Sequence, residues 1–304
     1  MILLMAAKMM NPFKLAKNNR IIFLLSLVLI GVWSTASAAS LSPGDEYVAL
    51  GSSFASGPGI AKTLDEGCAR SSNNYAQLVA RALDLSLVDV SCSGATIANV
   101  MDTAQHNQGG DTVAPQILAL SENTKLVTVT VGGNSFHYAI RTIQSACDAT
   151  GLFSRALNKS VLCFMVGQMD TEGSQQALAQ IEVELAEMIA AIKAKAPNAE
   201  ILFVDYTTIF PREDIACEDR QPIDRKTVEA FVAQADTFAI KIESVMAKEN
   251  VSLIKMSQAS RNHHVCAEQP WVTGFEFNSD GVVPFHPKLE AMEHAAQLIV
   301  SALQ

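Results

Sequence analysis

Five short apolar runs, at residues 47–50, 87–91, 126–131, 201–205 and 251–254, are separated by stretches of helical spacing, and this alternation limits the possible folds more than any other feature. Each run is too short for a buried helix, and most are rich in Val, Leu and Ile, so they read as strands. The helical patterns fall at residues 74–83, 112–121, 173–196 and 225–248, and a last one at 288–303 closes the chain. Strands apolar throughout are buried on both faces, which predicts an α/β fold whose parallel sheet is covered by helices on each side. Sites in such sheets form at the carboxyl ends of the strands, so the residues just after each run are the first place to look for chemistry. Two connections break the rhythm, at 147–168 and 211–222; both carry cysteines and are expected to be disulfide-tied loops over that face.

Lys8, Lys14, Lys17 and Arg20 precede an apolar run from 21 to 33, and Ala36-Ser37-Ala38 follows. A basic region, an apolar region and an A-x-A site read as an export signal over 1–38, leaving 39–304 as a single domain. The apolar run is short for a bilayer span of about 20 residues, so no stable membrane span is expected after cleavage. Losing four cations and no anion takes the formal net charge from −9 to about −13. An acidic surface repels phosphate backbones and excludes nucleic acid as a partner. The expected location is secreted, periplasmic or at the cell envelope, and the chain is expected to act as a monomer. All six cysteines lie beyond residue 38, and an even count in an oxidising compartment reads as three disulfides. Of the 15 pairings that six cysteines allow, nearest-neighbour order is preferred: Cys68 with Cys92, Cys147 with Cys163, Cys217 with Cys266. A zinc site is disfavoured, because no two cysteines stand at C-x-x-C spacing and His263-His264 has only Cys266 nearby.

The first strand runs into Gly51-Ser52-Ser53, and Gly57-Pro58-Gly59 then lets the backbone turn tightly, so a serine hydroxyl can stand above the sheet edge. A serine needs a base to act as a nucleophile. Of six histidines, His106 and His137 sit in or beside helical segments, His263 and His264 lie in a polar loop, and His294 falls within the last helix. His286, between Phe285 and Pro287 just before that helix, is placed to reach over the sheet edge. An attacked ester also needs donors for its oxyanion. Gly133-Asn134 follows the third strand, and Ser93-Gly94-Ala95 the second. Taken singly each marks only a turn. No G-x-G-x-x-G or P-loop lysine motif occurs, which argues against nucleotide binding.

Together GSSFASG (51–57), CSGAT (92–96), VGGNS (131–135) and FHP (285–287) resemble the four blocks of the SGNH, or GDSL-type, serine hydrolases, in family order. The likeness is strongest to the secreted esterases and lipases of actinobacterial type, and extends to Cys68, Arg70, Ser71, Ser72 and Tyr75. The resemblance implies a three-layer α/β/α sandwich of flavodoxin-like type with about five strands, three disulfides, and no metal or organic cofactor. It implies Ser53 as nucleophile, His286 as base, and the N–H groups of Ser53 and Gly94 with the Asn134 amide as oxyanion donors. The substrate would be a small-molecule or lipid carboxylic ester, hydrolysed through an acyl-enzyme; a carbohydrate O-acetyl esterase and a catalytically impaired binding module are the alternatives.

The chain departs from the family pattern twice. Ser52 replaces the usual aspartate of the first block, and Val283 stands three residues before His286, where many members carry the acid of the triad. A main-chain carbonyl can orient an imidazole in its place. The Val283 carbonyl is the expected acceptor, with Asp280 as the alternative acid.

Overall fold

The computed structural model describes residues 41–150, 163–276 and 282–304. The proposed signal over 1–38 and Asp280 lie outside them. Five parallel strands make one sheet in the order β2-β1-β3-β4-β5: β1 (Glu46–Gly51), β2 (Ser86–Asp89), β3 (Thr124–Thr130), β4 (Glu200–Val204) and β5 (Ser252–Ile254). All five predicted runs are therefore strands, with ends shifted by up to two residues. Each side chain along β1 alternates between two buried layers: Val48 and Leu50 face one, Tyr47 and Ala49 the other. The same alternation separates Val127 and Val129 from Leu126, and Phe203 from Leu202 and Val204. This double burial is why the runs carry no polar period.

The first layer packs on helices α3 (Ile97–Met101), α4 (Tyr138–Thr150), α5 (Ser174–Lys195) and α6 (Arg225–Glu249). The second packs on α2 (Tyr75–Leu83) and α7 (Leu289–Ala302), making an α/β/α sandwich. Helix starts are written locally: the Asn74 side chain accepts from Gln77 N–H at 2.9 Å, and Asp224 accepts from Thr227 N–H at 3.1 Å. Disulfides join Cys68 to Cys92, Cys147 to Cys163 and Cys217 to Cys266, the nearest-neighbour order.

Two expectations change. Residues 112–121 are no helix: Thr112–Val113 pairs with Gln105–His106, and only a 3₁₀ turn, Gln116–Ala119, follows. Pro115 is one physical reason, since it disfavours helical geometry at the preceding residue. The connection expected from 147 instead begins inside α4, which runs to Thr150.

Chain growth reverses direction between β1 and β3, so their carboxyl ends flank a crevice at the switch point of the sheet.

Candidate active site

The crevice is built from the end of β1 outward. Gly51 has φ 143°, and a Cβ there would lie 2.5 Å from the Thr130 carbonyl oxygen, so only glycine fits. Buried Gln116 clamps it from both sides, accepting from Gly51 N–H at 2.7 Å and donating to the Gly51 carbonyl at 2.9 Å. Ser52 N–H then donates to Thr130 O at 2.9 Å. Ser53 opens the single-turn helix α1 (Ser53–Ser56), which Gly57 ends in the left-handed region at φ 75°. The Ser53 hydroxyl is thereby fixed over the sheet edge.

His286 arrives from the other end of the chain. Its Nε2 lies 2.8 Å from Ser53 Oγ, and its Nδ1 lies 2.8 Å from the carbonyl oxygen of Pro284. A carbonyl only accepts, so Nδ1 carries the proton and Nε2 is left to accept from the serine hydroxyl. Both residues are buried, at 4% and 5% exposure. Burial pushes the imidazole pKa down to about 4, partly opposed by the Pro284 carbonyl.

The orienting acceptor is therefore Pro284 and not Val283. Val283 O is taken by the Thr273 hydroxyl at 2.7 Å, and the same hydroxyl accepts from His286 N–H at 3.0 Å. Thr273 N–H in turn donates to His286 O at 2.9 Å. The turn that brings Pro284 O back onto the ring places Phe285 at φ 61°, a costly state for a bulky side chain. Phe285 is held there by packing against Phe210 and Phe275.

Asn134 lines the same cleft, and its amide donates to Ala95 O at 3.0 Å, tying the turn after β3 to the turn after β2. Gly94 stands next to Ala95 at φ 87°. The N–H groups of Ser53 and Gly94 have no acceptor among the described residues, which suits a role as donors to an incoming anion. The other histidines stay apart from this cleft: His263 stacks on Trp271 at 3.9 Å between ring centres, with His294 on the same indole at 4.8 Å.

The sequence did not single out Tyr206, Gln116 or Thr273. Tyr206 stands two residues beyond the end of β4, so the strand-end rule could have flagged it. Its hydroxyl accepts from Gly133 N–H at 2.8 Å and also meets the Ser52 hydroxyl; burial drives its pKa up to about 12 despite both hydrogen bonds. Where the family places a carboxylate, this chain thus sets two neutral hydroxyls against each other. Tyr206→Phe strands the buried Gly133 N–H and is expected to lower stability by about 1–3 kcal/mol, as read by urea unfolding. An unchanged unfolding midpoint would show that water replaces the phenol.

A five-stranded parallel sandwich that joins a serine and a histidine at its switch point defines the class of SGNH ester hydrolases. The chain belongs to the GDSL-like lipase/acylhydrolase family, whose model matches residues 49–293, and is a carboxylic ester hydrolase. It is 29% identical over 269 residues to Lipase 2 of Streptomyces coelicolor, covering 86% of this chain and 87% of that one. Among solved structures it is similar to the extracellular lipase of Streptomyces rimosus, with TM-score 0.65, 21% identity, and 85% of this chain and 100% of that one covered. Phospholipase A1 of Streptomyces albidoflavus NA297 superposes with TM-score 0.65 and 20% identity, covering 85% and 99%.

Proposed function

We propose that Ser53 and His286 form a catalytic dyad that transfers the acyl group of a carboxylic ester to water without a carboxylate. The 2.8 Å contact between Nε2 and Ser53 Oγ, with Nδ1 on a carbonyl, carries this reading. His286 takes the hydroxyl proton as Oγ bonds to the ester carbon. The resulting oxyanion is met by the N–H groups of Ser53 and Gly94 and by the Asn134 amide. His286 then returns the proton to the departing alcohol, and the same imidazole activates the water that releases the acid from Ser53.

The chain acts outside the cytoplasm after removal of residues 1–38, as a monomer and without nucleic acid. Three disulfides support export, since such bonds persist in oxidising compartments. Among the described residues no helix is long and apolar enough to cross a membrane. The lipase name of the Streptomyces coelicolor relative supports a lipid or other small ester as substrate.

A fluorophosphonate probe tests the dyad directly. The expected product is one covalent adduct, located on Ser53 by peptide mass spectrometry. Labelling elsewhere, or none in a folded protein that hydrolyses esters, would overturn the assignment.

A further inference from the structure

The cleft that holds Ser53, Asn134 and His286 encloses only about 10 Å³, room for about one water molecule. It cannot house an acyl chain. A cavity of about 330 Å³ lies next to it, between the segment after β4 and helix α6, at the low end of the size range of small-molecule sites. Gly133, Tyr138, Tyr206 and Ile209 line both spaces, so they form a shared wall. In that wall the Gly133 backbone lies against the Tyr206 ring: a Cβ there would come within 3.0 Å of it.

Within the cavity, α6 presents Val232, Ala235, Ala239 and Ile242, positions three and four apart and hence on one helical face. The two alanines leave the space, and Phe136 and Phe238 add apolar surface. Most charged groups around the cavity are already paired: Arg212 with Asp236 through its two terminal nitrogens, Lys255 with Glu243, and Asp205 with the N–H and hydroxyl of Ser257 at 2.8 and 2.5 Å. Arg261 is exposed. What remains to be covered is mostly apolar, and among the described residues Arg212 Nε is the one buried polar side-chain atom of the lining without a partner.

We infer that this cavity receives the acyl chain of the ester, with Gly133 and Tyr206 as its threshold from Ser53, and that it sets a preference for medium-length acyl groups over acetyl. The inference rests on the dyad proposed above and adds where the acyl group goes. Each methylene buried there contributes about fourfold to kcat/KM. The alanines of α6 set the depth of the site, and larger side chains at those positions would fill it.

The test compares p-nitrophenyl octanoate with p-nitrophenyl acetate. The unaltered enzyme is expected to favour the octanoate, and Ala239→Phe to lower the octanoate-to-acetate ratio of kcat/KM by about tenfold or more. Ala235→Leu serves the same purpose with less added volume should the first variant fail to fold, as judged by thermal unfolding. An unaltered enzyme that prefers acetate, or a ratio that neither folded variant changes, overturns the acyl site while leaving the dyad standing. Failure of the dyad reads differently, as hydrolysis without an adduct on Ser53.

Discussion

Replacing Ser53 with alanine is expected to lower kcat for short p-nitrophenyl esters by about five to six orders of magnitude while leaving the fold intact. The size follows from what the hydroxyl does. It is the only atom proposed to bond to the substrate, and the covalent intermediate vanishes with it. Residual catalysis would come from the donors that remain around the oxyanion. The fold survives because the turn is held by other atoms: Gly51 by Gln116, Ser52 N–H by Thr130 O, and Gly57 N–H by Ser53 O at 3.0 Å. Ser56 supplies a control one turn further on. Its buried hydroxyl has no partner among the described residues, so Ser56→Ala should keep kcat at the same order. Steady-state kinetics with circular dichroism on both variants decide the matter: a Ser53→Ala enzyme of near-normal rate would remove Ser53 from the chemistry.

Much of this molecule was legible in its sequence because burial writes itself into composition. The strands show as unbroken apolar runs since both faces of the sheet are covered, and 47–50 is the clearest case. That Ser53, Asn134 and His286 line one cleft was readable for a related reason: each stands at the end of a strand or before the closing helix, where the fold has to deliver side chains to one edge. The failures are of another kind. Residues 112–121 have helical spacing, yet Pro115 and the pull of the Gly51 backbone on Gln116 decide their shape, and the second of these is a tertiary contact that no local pattern encodes. Pro284 was missed because the carbonyl that faces Nδ1 is selected by the positive φ of Phe285, a backbone state held by the aromatic packing around it. Thr273, thirteen residues before His286, holds the histidine turn through its hydroxyl and leaves no motif.

His286→Ala is expected to cost as much as loss of the serine, about five to six orders of magnitude in kcat, whereas Asp280→Asn should leave kcat of the same order. The contrast separates a dyad from a triad. In a triad, changing the acid to its amide costs about 10⁴ because the imidazole loses its tautomer and its stabilising anion. Here the tautomer is set by the Pro284 carbonyl, which no side-chain substitution removes. The acidity of His286 gives a second, independent reading. Its pKa is lowered to about 4, chiefly by burial, and only the neutral imidazole can accept the serine proton. Raising the pH through about 4 therefore frees the base, so kcat/KM should climb across that range and be level by about pH 6. A carboxylate at Nδ1 would favour the imidazolium and shift the acid limb upward, toward the ordinary histidine range near 6.5. A limb near 6.5 that Asp280→Asn moves down would establish the triad in place of the dyad; a limb near 4 that the substitution leaves in place is the expected outcome.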